Sequence, residues 1–257
     1  SIQPNKPTTV NPLDDANFNM GMVNGYITRA KEAKDRGFEL FIDLYSTPGW
    51  ANGGKSKTTP PTDGTWFGYA AAWIALKLGA ASVQLMNEVD SKAFFTPVVA
   101  GNAAAEYAAM IAKAYPVAKK AAPAVTFVAG SCTYVKDSWY TPVRDQLDKL
   151  GVGKAYDAVS CHPYVSLPAS FQCSPDAPDV TDPASPDYKY REYRLRHIQT
   201  YSAVVAKREP GMPIILSEWN WSTHPNIGGE PNDQVGVTLA QQGDYITKAM
   251  GIFAALP

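Results

Sequence analysis

The sequence has little cysteine, little histidine and almost no net charge. Its 257 residues include three cysteines and three histidines, and the formal net charge is −1. Three cysteines are too few for a disulfide framework, and their spacing matches no zinc motif. A nearly neutral chain gives no electrostatic reason to expect nucleic acid or an anionic membrane as a partner. We therefore expect a neutral or weakly charged ligand, and no metal or other cofactor.

Long apolar runs are also missing. No segment approaches the roughly 20 apolar residues that cross a bilayer, and the polar start lacks the apolar core of a signal peptide. Any targeting signal would lie outside this sequence. Cys132 and Cys161 fall at predicted strand ends and Cys173 falls in a long loop. Two arrangements of the cysteines are possible. One is a single disulfide from Cys132 or Cys161 to Cys173, in the oxidising extracellular setting that we expect rather than the cytoplasm, and the other is three buried thiols.

Apolar, β-branched runs alternate with longer segments of helical period. This alternation is typical of βα units around a parallel sheet. Five strands are predicted, at residues 39–45, 82–88, 126–130, 158–162 and 213–218. Six helices are predicted before, between and after them, at residues 15–36, 66–78, 103–121, 138–150, 188–207 and 237–255.

The predicted fold class is α/β, a (β/α)8 TIM barrel that is incomplete in this chain. A closed barrel has eight strands, three more than the sequence provides. We expect residues 1–257 to form a single barrel domain of a longer polypeptide, whose other segments supply the remaining strands. Expressed alone, this span would expose two sheet edges, and we expect it to aggregate or to stay partly unfolded.

Two of the predicted strands end in a glutamate. Alternation places Gln84, Met86 and Glu88 on one face of the second strand, and Glu218 closes the fifth. A carboxylate after a buried apolar run is costly to desolvate unless it is paired or used. Either glutamate alone could be a surface charge at the start of a loop. Because the carboxyl ends of barrel strands meet at one mouth, the two together predict a site with two carboxylates.

Two facing carboxylates provide the chemistry of glycosidic bond cleavage. One carboxylic acid protonates the leaving oxygen, while the other attacks the sugar or activates water. A separation of roughly 5 to 5.5 Å gives retention of configuration, and a wider gap gives inversion. Aromatic rings complete a sugar site, because pyranose faces pack against them. Four tryptophans at or just beyond strand ends are candidates for this role, with loop packing as the alternative: Trp50, Trp66, Trp219 and Trp221.

Four short motifs resemble one group of enzymes. Asn87-Glu88 and Ser217-Glu218-Trp219 resemble the strand-four and strand-seven signatures of the clan A glycoside hydrolases, which are retaining TIM-barrel glycosidases. Residues 46–51, with the sequence STPGWA, are similar to the strand-three loop of the family 39 β-xylosidase-like branch. Residues 160–164, with the sequence SCHPY, resemble the strand-six segment of that branch. The order of the motifs agrees with strands three to seven of such a barrel.

The resemblance implies a role for each matching residue. Glu88 would be the acid/base and Glu218 the nucleophile of a retaining enzyme that cleaves a polysaccharide or oligosaccharide. Asn87 would bind the hydroxyl beside the scissile bond, and His162 with Tyr164 would support the nucleophile and the substrate. A tyrosine hydroxyl is a suitable donor to a carboxylate that must stay ionised, and Tyr164 is a candidate for this contact with Glu218.

The sequence differs from the clan pattern in places, and the residues allow other functions. Val89-Asp90 follows Glu88 where many clan members have proline, and no segment matches strand two or strand eight. A non-catalytic carbohydrate-binding or structural barrel module of a larger assembly would keep the same scaffold. A metal-dependent hydrolase using His162, His224 and a carboxylate is a further hypothesis, but no metal-ligand spacing supports it.

Overall fold

The computed structural model describes residues 4–7, 11–164, 175, 177–219 and 238–254. The strands in these ranges are β1 (Phe41–Asp43), β2 (Ser82–Leu85), β3 (Thr126–Ala129), β4 (Ala158–Cys161) and β5 (Ile214–Leu216). The α-helices are α1 (Met20–Asp35), α2 (Gly64–Leu78), α3 (Ala103–Ala121), α4 (Asp137–Lys149), α5 (His197–Arg208) and α6 (Leu239–Ala254). Short 3₁₀ helices occur at Asp15–Asn17, Gly49–Ala51 and Tyr188–Tyr193.

The strands occur in the sheet in chain order, β1-β2-β3-β4-β5. β1 to β4 pair in parallel, with Val83 opposite both Ile42 and Phe127. Beside β4, the Ser217 N–H donates to the Cys161 carbonyl at 3.3 Å. Helices separate the consecutive strands along the chain, as parallel pairing requires. The predicted fold class, an incomplete (β/α)8 barrel with five recognisable strands, is confirmed.

The chain divides into two compact units. The first comprises residues 1–131 and 141–160, and the second comprises residues 132–140 and 161–257. The first unit contains β1 to β3, most of β4 and helices α1 to α3, whereas β5, α5 and α6 belong to the second. Among the described helices, none combines the length and the apolar character needed to span a membrane.

Helices α2 and α3 of the first unit pack backbone against backbone. A Cβ on Gly64 would lie 2.3 Å from the Met110 carbonyl oxygen, and one on Gly68 would lie 2.2 Å from that of Ala114. Such contacts are possible only because glycine has no side chain. Most of the surface of α2 is buried, including Trp73. The two glycines therefore fix the distance between α2 and α3.

The first helical region differs from the prediction. The sequence predicts one helix over residues 15–36, but the 3₁₀ helix Asp15–Asn17 and α1 are separated at Phe18, whose backbone is extended. The Phe18 ring stacks on Trp73 with 3.5 Å between ring centroids, and Trp73 Nε1 donates to Asp15 at 3.0 Å. Burial of two aromatic rings outweighs the loss of one helical turn.

The helix predicted over residues 188–207 is also two elements. The 3₁₀ helix Tyr188–Tyr193 ends at Arg194, whose extended backbone precedes α5. Arg194 is buried, and its guanidinium donates to the Pro178 carbonyl at 3.1 Å and lies 3.5 Å from the Asp187 carboxylate. These contacts pair a buried charge with a carboxylate and a carbonyl, which a continuous helix would have to provide elsewhere.

Candidate active site

Asn87 and Glu88 follow β2 in a turn of unusual backbone geometry. Met86 has φ +91° and Glu88 has φ +36°, both in the left-handed region that non-glycine residues rarely adopt. Each such residue costs on the order of 1–3 kcal/mol and persists only where its surroundings enforce it. β2 therefore ends at Leu85, and the predicted alternation that placed Gln84, Met86 and Glu88 on one face stops there.

Ser131, just beyond β3, holds this turn. Its hydroxyl accepts a hydrogen bond from the Glu88 N–H at 3.1 Å and donates to Asn87 Oδ1 at 3.3 Å. Gly130 permits the close approach, because a Cβ on it would lie 2.5 Å from the Met86 carbonyl oxygen. Asn87 is buried and Glu88 is half-buried. The end of β3 thus fixes the backbone of both predicted site residues.

Trp50 and Trp66 also lie together in the first unit. Trp50 is in the 3₁₀ helix after β1, whereas Trp66 lies in the first turn of α2, close to the predicted helix start and not at or just beyond the end of β1. Their rings meet edge to face with 6.3 Å between centroids, and Trp50 Nε1 donates to the Pro4 carbonyl at 2.9 Å. Both line a cavity of about 350 Å³ with apolar residues of β1 and α2, and Asn87 and Glu88 do not line it.

In the second unit, His162, Tyr164 and Glu218 lie together. The Tyr164 hydroxyl donates a hydrogen bond to Glu218 Oε2, and His162 Nε2 lies 3.8 Å from Oε1. The His162 and Tyr164 rings meet edge to face at 5.8 Å. His162 is fully buried, whereas the Glu218 side chain is 44% exposed. One carboxylate oxygen is thus held by a phenol while the side chain as a whole remains accessible.

Glu218 lies two residues beyond β5, and Trp219 follows it. The Trp219 ring contacts the ring of Phe253 in α6 edge to face at 5.4 Å. The Trp219 ring therefore packs in part against a helix, as the loop-packing alternative requires, and the residue is half-buried overall. Three residues named from the sequence lie outside the described ranges: Cys173, Trp221 and His224.

His197, the first residue of α5, forms a separate charged cluster in the second unit. Its Nδ1 lies 3.0 Å from Asp179 Oδ1, and its Nε2 lies 3.2 Å from Asp137 Oδ1. Burial opposes the charged ring, but the two carboxylates outweigh this cost and raise the pKa of His197 to about 9. Both ring nitrogens are occupied, which makes His197 a structural imidazolium.

No family model matches this chain, and no curated protein matches its sequence. Solved structures do resemble it. A fungal β-1,4-galactanase gives a TM-score of 0.63 at 16% identity, over 95% of this chain and 71% of the galactanase. A family 39 glycoside hydrolase from the gut symbiont Bacteroides cellulosilyticus gives a TM-score of 0.55 at 16% identity, over 87% of this chain and 42% of that enzyme. A β-xylosidase from Caulobacter crescentus gives a TM-score of 0.52 at 16% identity, over 88% of this chain and 44% of the xylosidase.

The chain has the fold of these glycoside hydrolases, over part of a TIM barrel. The resemblance seen in the four motifs is thereby confirmed at the level of the fold, with a family 39 member among the similar structures. The chain spans less than half of the family 39 enzyme and of the β-xylosidase. Fold alone does not fix activity, which depends on the residues of the site.

Two residues after β3, Ser131 and Tyr134, contact predicted site residues but were not themselves predicted from the sequence. Ser131 contacts the Asn87-Glu88 turn, and Tyr134 has φ +71° and bridges to His162. A serine or tyrosine in a loop has no distinctive pattern of its own. The available signal was Gly130 directly before Ser131 at a strand end, since a glycine there permits close approach of a neighbouring backbone.

Proposed function

We propose that this protein is a retaining glycoside hydrolase that cleaves the β-glycosidic bonds of a polysaccharide or oligosaccharide. The observation that carries the proposal is the hydrogen bond from Tyr164 to Glu218, beside the buried His162. A donor aimed at a carboxylate stabilises negative charge on it, which suits a nucleophile. The clan A fold and the galactanase and xylosidase among the similar structures support this class of substrate.

In the proposed mechanism, Glu218 attacks the anomeric carbon while Glu88 donates its proton to the leaving oxygen. The glycosidic C–O bond breaks, and a glycosyl ester of Glu218 forms. Water then attacks the same carbon, Glu88 takes up the proton of the water, and the ester bond to Glu218 breaks. Two inversions give net retention, which requires the two carboxyl groups to be roughly 5 to 5.5 Å apart.

The remaining predicted residues are proposed to bind the sugar. Asn87 presents a buried amide directly beside Glu88, where it would contact the hydroxyl next to the scissile bond. His162 and Tyr164 would hold Glu218 and the adjacent hydroxyl. The four tryptophans are proposed to pack against sugar faces: Trp50, Trp66, Trp219 and Trp221.

We also propose that further strands of a longer polypeptide complete the barrel beside β1. Phe41 and Tyr45 are exposed, at 38% and 43%, in or just after this strand. The similar structures are longer than this chain, which spans from 42% to 71% of the three described above. Burial of such residues by an added strand would remove both the apolar exposure and the open sheet edge.

The test is hydrolysis by the full-length protein of aryl β-galactosides, β-xylosides and β-glucosides, and of galactan and xylan. We expect turnover with retention, seen by NMR as first release of the β anomer. Glu218→Gln should lower kcat at least about 1000-fold. Glu32→Gln, which changes an exposed glutamate of α1, is the matched control. Unchanged turnover in Glu218→Gln would end the assignment, and carbohydrate binding without any turnover would favour the non-catalytic module.

A further inference from the structure

A buried chain of polar side chains crosses the sheet of the first unit. Ser160, Gln84 and Ser131 are each at most 2% exposed. Ser160 Oγ lies 2.7 Å from Gln84 Oε1, and Gln84 Nε2 donates to Ser131 Oγ at 3.1 Å. Burial of polar groups in a sheet core is costly unless each is hydrogen-bonded. This chain of contacts satisfies them, and it ends at the Asn87-Glu88 turn.

The Ser131 hydroxyl uses its full hydrogen-bonding capacity. A serine hydroxyl can donate one hydrogen bond and accept two. Ser131 Oγ accepts from Gln84 Nε2 and from the Glu88 N–H, and it donates to Asn87 Oδ1. Its carbonyl also accepts from the Val89 N–H at 3.0 Å. Ser131 therefore fastens the backbone on both sides of the Glu88 Cα, together with the Asn87 side chain.

We propose that Ser131 is a positioning residue for the acid/base Glu88. This proposal rests on the glycosidase function proposed above. Glu88 occupies a left-handed backbone conformation that it would leave without outside contacts. The Ser131 hydroxyl supplies such a contact at the Glu88 N–H, and so sets the direction in which the Glu88 side chain leaves the backbone. Loss of this contact would change the orientation of the Glu88 carboxyl group without removing it.

A misoriented general acid affects the kinetics differently from a general disturbance of the active-site structure. In the first step, a poor leaving group such as a sugar alkoxide must be protonated as it departs, whereas dinitrophenolate leaves without a proton. For both substrates kcat/KM reports that first step. A displaced Glu88 side chain should therefore lower kcat/KM for an unactivated β-glycoside. The kcat/KM for the dinitrophenyl β-glycoside of the same sugar should stay nearly unchanged.

The test compares these two substrates in the full-length wild-type protein and in Ser131→Ala. We expect the ratio of the two kcat/KM values to change by at least about 10-fold, within the range that general acid catalysis contributes. Ser202→Ala, which changes a buried serine of α5 outside this chain of contacts, is the matched control and should leave the ratio unchanged. Thermal melts of each variant establish that it is folded.

Equal loss on both substrates, or no loss, would overturn the proposal and make Ser131 merely structural or dispensable. If Ser131→Ala does not fold, Ser131→Cys carries the same test, because a thiol keeps the side chain but is a much weaker hydrogen-bonding group. The two proposals fail separately. A wild-type protein that cleaves neither substrate overturns the glycosidase function, whereas an active wild type with an unchanged ratio in the variant overturns only the role of Ser131.

Discussion

The Tyr164 hydroxyl donates a hydrogen bond to Glu218 Oε2, and His162 Nε2 lies 3.8 Å from the other oxygen of the same carboxylate. The phenol can stabilise the anion but cannot stabilise a neutral ester of the same oxygen to the same degree. It therefore favours an available nucleophile before attack and a good leaving carboxylate afterwards.

Tyr164→Phe should lower kcat by about 10- to 100-fold, the equivalent of one hydrogen bond to a charged group. Substrate binding should change less, because the contact of the Tyr164 hydroxyl in the structure is to the enzyme's own carboxylate. Steady-state kinetics on an aryl glycoside measure both effects. Tyr188→Phe is the matched control, since its ring keeps its contact with Arg191, 4.3 Å away. Equal rates for wild type and Tyr164→Phe would show that this hydrogen bond does not serve catalysis.

The His197 cluster predicts a pH dependence of stability. The pKa of His197 is about 9 in the folded protein and about 6.5 in the unfolded chain, so folding favours the protonated ring. Its contribution is fully present below pH 6.5 and is lost as the pH rises through 9, by at most about 3 kcal/mol. The facing charged groups are Asp137 and Asp179, with Arg191 3.7 Å from Asp137.

The measurement is urea unfolding of wild type and His197→Gln at several pH values from 6 to 9.5. Wild type should lose stability across this interval, and the variant should be less stable at pH 6 and lose less stability as the pH rises. The difference between the two curves isolates His197 from the other groups that titrate. Parallel curves would mean that the ring is not charged in the folded protein.

Gly68→Ala should destabilise the protein by about 2 kcal/mol, although alanine favours helices over glycine. The new Cβ would lie 2.2 Å from the Ala114 carbonyl oxygen, so α2 and α3 would have to separate. Gly243→Ala in α6 is the matched control, because nothing lies within 4 Å of its added Cβ, and it should stabilise by up to about 1 kcal/mol. Urea denaturation compares the two, and a stabilised Gly68→Ala would contradict the tight helix contact.

Local pattern was enough to place the strands and most of the helices. Apolar β-branched runs predicted all five strands, although β2 and β5 end before the glutamates that follow them. Helix periodicity could not show the breaks at Phe18 and Arg194. Those breaks arise from contacts with Trp73 and with Pro178 and Asp187, which are distant in the chain or outside the helical pattern.

Site residues that belong to a recognisable motif could be predicted from the sequence, whereas site residues in loops without a motif could not. Tyr164 could be named beside Glu218 because both belong to motifs that the resemblance aligned. Ser131 could not, since its importance comes from three hydrogen bonds that only the folded backbone brings together. Trp66 was predicted as the first residue of a helix, and it is the third residue of α2, which begins two residues earlier, at Gly64.

We propose that Glu218 is the nucleophile of a retaining glycosidase, which requires a covalent bond between Glu218 and the sugar. Incubation of the full-length protein with a 2-deoxy-2-fluoro β-glycoside that has an activated leaving group, followed by intact-mass and peptide mass spectrometry, detects that bond. We predict that the protein gains the mass of one fluoroglycosyl unit and that the sugar is attached to Glu218. Attachment to another carboxylate, or continued turnover of the natural linkage with inversion and no covalent adduct, would contradict the claim.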